Sequence, residues 1–224
     1  MNIIEIMQKQ NLSTDSYIPN AKDLPCLNSK YNVVIGKRAI NNFNSLKQAV
    51  VDNNNTARQV EIGFILIGYE REDGQICIET CSPFTQTNSP TEGVDFRDKN
   101  ETLNKLDEFA TIALKFKSFG KPIMFLGHTH PIRQKIEHSN TWSSQDLISA
   151  YEYAKQYKTA LQMGEMLITP SLDINTLFFE FDEQVAGFYR FPAVYSYDKD
   201  SGSYKKENSY GDISARPVLN LEKI

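Results

Sequence analysis

Cysteine is scarce in this chain, and its three copies make an odd number. That excludes a disulfide framework as the source of stability. Cys77 and Cys81 match no Cys-x-x-Cys metal motif. Their spacing sets both on one strand face, and buried free thiols in a reducing compartment are the expectation. No apolar run reaches the ~20 residues needed to span a bilayer, so no membrane partner is expected. Basic charge is not in excess either. The 24 Lys and Arg against 28 Asp and Glu leave a net charge of −4, without the basic footprint of a nucleic-acid binder. The opening residues Met1 to Met7 carry an early acid and no basic stretch ahead of a long apolar one. A secretion signal is therefore not expected, and the expected location is cytoplasmic. The asparagine- and lysine-rich composition also suits a bacterial protein, which leaves open an effector acting in a host cytosol.

Histidine and tryptophan are few as well, at three and one, so their placement is informative. His128 and His130 stand two apart behind the apolar run Ile123-Met124-Phe125-Leu126. That run, opened by Pro122 and closed by Gly127, reads as a buried strand. Side chains two apart on a strand share a face, so the two imidazoles can meet one ion. Downstream, Ser143-Ser144-Gln145-Asp146 opens a helical pattern and offers a carboxylate. Two imidazoles, one carboxylate and an open fourth position describe a catalytic rather than a structural zinc site.

Each of these residues has a plainer role. A histidine near a strand end is often simply packed, and Ser-x-x-Asp ahead of an apolar helix is a capping signal. The two roles are compatible, because a first-turn residue can also face a cleft. A metallohydrolase further needs a carboxylate that is not a ligand, to take a proton from the attacking water and return it to the leaving amine. Glu61 opens the apolar strand Glu61-Ile-Gly-Phe-Ile-Leu-Ile-Gly68, a place for a partly desolvated base. Alone, it would be an ordinary exposed glutamate at a strand start.

Together these residues resemble the JAMM (MPN+) metallopeptidase family. Its pattern is a glutamate in a Glu-x-x-Gly-x-Leu-x-Gly-like strand, then His-x-His-Pro, then Ser-x-x-Asp. Here Gly63 falls one residue earlier than usual, Gly68 is in place, and Gly127 to Pro131 and Ser143 to Leu147 match closely. The spacing between the histidines and the serine, residues 131–142, is longer than usual, and its polar character marks a surface loop. His138 within that loop competes with Asp146 for the third ligand position, with a carboxylate fixed in a helix turn the better organised of the two. The resemblance covers residues 33 to 190. It implies an α/β (α+β) fold of the JAB/MPN type, with a central mixed curved sheet flanked by helices.

It also implies one Zn2+ per chain, held by His128, His130 and Asp146, with Glu61 as general base. Ser143 would be the hydroxyl donor to the developing oxyanion. Thr129 faces away and is not a ligand. Trp142 adjoins the site and is either a substrate contact or a packing residue. The implied reaction is hydrolysis of the isopeptide bond between the C-terminus of ubiquitin, or a ubiquitin-like protein, and its target. Family alternatives are a peptidase processing a bacterial ubiquitin-like or sulfur-carrier protein, and a metal-free scaffold. The intact set of four residues favours catalysis. A partner subunit, common beside such domains, is a further possibility. Zinc deaminases need His-x-Glu and Pro-Cys-x-x-Cys, both absent here.

The 224 residues can bury a sizeable core. Residues 1–30 read as an N-terminal extension, 31–192 as the catalytic domain and 193–224 as a polar tail. Within the domain, expected elements are a strand from Tyr31 to Ile35, a helix from Arg38 to Val51, and strands over 59–69 and 75–81 joined by an Asp73-Gly74 turn. A long loop over 82–98 follows, whose residues 83–98 are the candidate substrate clamp by the resemblance. Then come a helix over 101–117, the histidine strand, a helix from Ser144 to Tyr157, and a strand from Leu161 to Ile168 broken at Gly164. A pair of strands over 177–181 and 186–191 completes the series.

Overall fold

A computed structural model of the chain describes residues 32–55, 61–86, 99–130, 142, 144–180, 188–190 and 193–207. Among these, nine strands form one mixed sheet, with three α-helices against it. The strands are β1 (Asn32–Ile35), β2 (Ile62–Glu70), β3 (Ile76–Gln86), β4 (Lys121–Thr129), β5 (Gln162–Ile168), β6 (Ile174–Glu180), β7 (Phe188–Arg190), β8 (Ala193–Asp198) and β9 (Ser203–Lys206). The helices are α1 (Ile40–Asn54), α2 (Lys99–Leu114) and α3 (Ser144–Tyr157), with a 3-10 turn at Lys115–Ser118 after α2. The sheet order is β7-β6-β5-β4-β2-β3-β1-β8-β9. None of the described helices is long and apolar enough to cross a membrane.

The apolar pattern explains the layering. Strand β2 is apolar at nearly every position because both its faces are covered, as the central strands of a two-sided sheet require. Ile65, Ile67 and Tyr69 point to one side, where Leu106, Phe109, Ala113 and Phe116 from α2 and its 3-10 turn meet Ala150 and Ala154 of α3. Phe64 and Leu66 point to the other, where α1 lays down Ile40, Phe43, Leu46 and Val50 at helical spacing. The helix starts later than Arg38, because Gly36 O accepts the N–H groups of Ala39 (3.1 Å) and Ile40 (3.0 Å) in a turn ahead of it.

The β2–β3 hairpin closes as Asp73-Gly74 implies. Gly74 adopts φ 82°, Gly74 N–H donates to Arg71 O at 2.9 Å, and the Asp73 carboxylate accepts from Gln75 N–H at 3.0 Å. Strand β4 pairs antiparallel with β2 and parallel with β5, reached through α3 as the crossover helix.

Other sequence expectations are corrected as well. Cys77 and Cys81 are both buried and free, but they lie on opposite faces, Cys77 toward α2 and Cys81 toward α1. The register between β2 and β3 slips between Ile67 and Gly68, which pair with Thr80 and Ile78. Glu79 is thus the extra residue of a bulge, and one extra residue reverses the parity of everything beyond it. Strand β3 also runs on to Gln86, so the expected loop from residue 82 is shorter by the strand's last five positions. Gly164 does not break β5. A Cβ there would lie 2.6 Å from Leu177 O and 2.7 Å from the Phe125 ring, so glycine lets β6 and that ring come close.

The last correction concerns the C-terminal segment, which is not a tail from residue 193. Strand β8 pairs parallel with β1, and β9 closes a hairpin on it. Its alternating Val194 and Ser196 are buried. Glu207 then accepts hydrogen bonds from Lys47 Nζ at 2.8 Å and Ser196 Oγ at 2.5 Å, tying this edge to α1. The N-terminal extension, residues 87–98 of the candidate clamp and residues 208–224 lie outside the described residues.

Candidate metal centre

Strand parity assembles the site. His128 follows Leu126 by two residues, so it shares the face on which Met124 and Leu126 meet α2 and α3. Strand β4 extends two residues past the expected end at Gly127. Gly127 itself is required inside the strand, because the Phe64 ring occupies the space of its missing side chain. In the neighbouring β2, Gly63 pairs directly with His128. Glu61 precedes Gly63 by two, and so belongs to the same face at the same end of the sheet. Ile62 N–H donates to Thr129 Oγ1 at 3.0 Å, which turns the threonine away from the site and fastens the Glu61 end of β2 to the histidine strand. His130 N–H donates to Ile168 O at 3.2 Å, fixing the backbone of the second histidine to β5.

Helix α3 supplies the third group. Asp146 lies in its first turn, where a carboxylate is favoured by the helix dipole. Its side chain keeps 26% exposure, while His128 and His130 are buried, so the group opens to solvent on the aspartate side. His128 Nε2 and His130 Nε2 are 3.1 Å apart. Asp146 Oδ2 lies 3.7 Å from the first and 3.8 Å from the second. Around a tetrahedral ion with bonds of ~2.0–2.1 Å, ligand atoms are separated by roughly 3.3–3.4 Å, and the observed separations lie on either side of that spacing, within about half an ångström of it. His128, His130 and Asp146 are therefore a group that could hold a metal ion.

A fourth residue escaped the sequence reading. Glu165, on β5, is buried with its Oε1 3.4 Å from His128 Nδ1. Among the described residues, its other oxygen has no hydrogen-bond partner. Burial pushes the His128 pKa down, but the hydrogen bond and charge of Glu165, then the carboxylates of Asp146 and Glu61, more than reverse this and take it up to about 9. Burial pushes the Glu165 carboxyl up to about 7 against the opposing pull of His128. The signal in the sequence was a lone charged residue in the apolar run Met163-Gly-Glu-Met-Leu-Ile168. Only strand pairing says what it faces.

Trp142 is half-buried and packs against the cluster beneath α2 and α3, which is the packing role weighed for it. Glu61 is buried at the strand start, not exposed. Ser143 and His138 lie outside the described residues. The chain matches no family profile and no curated protein.

Proposed function

We propose that the chain is a zinc-dependent hydrolase of the JAMM type, cutting the bond between the C-terminus of ubiquitin or a ubiquitin-like protein and its target. The observation that carries this is the convergence of two buried imidazole Nε2 atoms and one carboxylate oxygen at separations of 3.1, 3.7 and 3.8 Å. A second carboxylate, Glu61, stands on the same sheet face and is close enough to act on the charge of His128. His128, His130 and Asp146 would hold the ion, which when bound acidifies water and polarises a carbonyl.

The chain's own groups do the rest. Glu61 takes the proton of the attacking water and returns it to the departing nitrogen. Its burial keeps bulk water from competing for that proton. The Ser143 hydroxyl would donate to the oxyanion, a contribution of about 3 kcal/mol where geometry is good.

The test is cleavage of a panel of ubiquitin chains, ubiquitin-like fusions and sulfur-carrier fusions, with and without a zinc chelator. Chelator-sensitive cleavage that disappears in Glu61→Ala is the expected result, and the panel names the modifier. Cleavage that ignores the chelator, or that survives in Glu61→Ala, overturns the mechanism.

A further inference from the structure

We propose that Glu165 is a positioning residue of this site. By accepting the proton of His128 Nδ1, it fixes the ring so that the Nε2 lone pair faces His130 Nε2 and Asp146 Oδ2. The inference rests on the metal-binding reading above and adds a residue that no motif marks.

The register makes the contact. Leu126 of β4 pairs with Glu165 of β5, and His128 pairs with Leu167. Glu165 and His128 are thus diagonal neighbours on one face, with Oε1 3.4 Å from Nδ1. Nδ1 and Nε2 lie on opposite edges of the imidazole. The carboxylate on Nδ1 therefore cannot also reach the point where Nε2, His130 and Asp146 converge, and it acts through the histidine. Metal-binding histidines commonly donate their second nitrogen in this way, which fixes the tautomer and raises ligand basicity.

Stability alone does not account for the residue. Glu165 is the one acid in a strand whose seven residues are all buried, and among the described residues one of its oxygens has no hydrogen-bond partner. A leucine or methionine there would gain apolar burial and avoid stripping water from a carboxylate. A buried acid that is costly to the fold and aimed at a ring nitrogen is explained by what that nitrogen must do.

Glu165→Leu and Glu165→Gln, prepared metal-free, test the assignment with two readouts. Zinc affinity, measured by competition with a chromophoric chelator, should fall ~10–100-fold in Glu165→Leu and less in Glu165→Gln, while thermal unfolding of the metal-free proteins stays cooperative. Nitrogen-15 spectra of the imidazoles at alkaline pH, where the ring is neutral, should show His128 protonated at Nδ1 in the unmodified chain and a mixture of tautomers in Glu165→Leu. Zinc affinity within twofold of the original and an unchanged Nδ1 proton would overturn the assignment. An unmodified chain that binds no zinc removes the metal reading, and the tautomer then decides alone whether Glu165 orients the ring. Should Glu165→Leu fail to fold, Glu165→Gln is read by the same two criteria.

Discussion

Gly127→Ala probes how the histidine strand is held. A Cβ at position 127 would stand 2.1, 2.4 and 2.6 Å from three carbons of the Phe64 ring, where ordinary contact needs ~3.5–4.0 Å. Phe64 pairs directly with Gly127 across β2 and β4 and is 1% exposed, so the ring cannot escape the clash by swinging out into solvent. Overpacking of this kind costs about 1–3 kcal/mol, and the depth of the overlap points to the upper half of that range. For a domain of this size the loss corresponds to a Tm lowered by roughly 4–12 °C. Urea unfolding followed by circular dichroism measures it, alongside Phe64→Leu and the double variant. The smaller side chain should relieve the clash, giving a coupling of at least about 1 kcal/mol between the two substitutions. A Gly127→Ala protein as stable as the original, or two losses that simply add, would refute the packing argument. His128 is the next residue, so the same substitution should also weaken metal binding.

Two further outcomes follow from particular side chains. Glu207→Ala removes the acceptor of both Lys47 and Ser196 and should lower the unfolding free energy by roughly 1–3 kcal/mol in denaturant titration. A loss under ~0.5 kcal/mol would mean that the β8–β9 edge contributes little to the domain. Burial raises the Glu79 carboxyl above its ordinary pKa, with Arg38, 4.0 Å away, opposing. Its favourable contribution is complete below the ordinary carboxylate range and is lost as pH rises through the raised value. Glu79→Gln should accordingly gain stability relative to the parent between pH 4 and pH 8, measured by unfolding at each pH. A gain that shrinks toward pH 8 would contradict that sign.

Much of the sheet and its helices was legible because hydrophobic periodicity and turn chemistry act locally. Helix α3 begins and ends where its capping and apolar pattern place it, at Ser144 and Tyr157. The Asp73-Gly74 hairpin closes with its glycine at positive φ. The two histidines share a face as their spacing implied, since strand parity is a local property; that Asp146 lies beside them is what the family resemblance implied, not the spacing. What stayed hidden depends on pairing between distant segments. The bulge at Glu79 exists only relative to β2, and it put Cys81 on the face opposite Cys77. The polar residues after 192 read as a tail because β8 acquires its meaning only beside β1, a partner about 160 residues earlier in the chain. Glu165 was passed over because a lone acid in an apolar strand says nothing of its partner until β5 lies beside β4.

Metal content measured by mass spectrometry on the purified protein tests the central claim most directly. One zinc per chain is expected in the original and in Glu61→Ala, with none retained by His128→Ala or Asp146→Ala and full retention by His138→Ala. A chain that carries no zinc after purification with zinc supplied, or that keeps it in Asp146→Ala and loses it in His138→Ala, would contradict the site described.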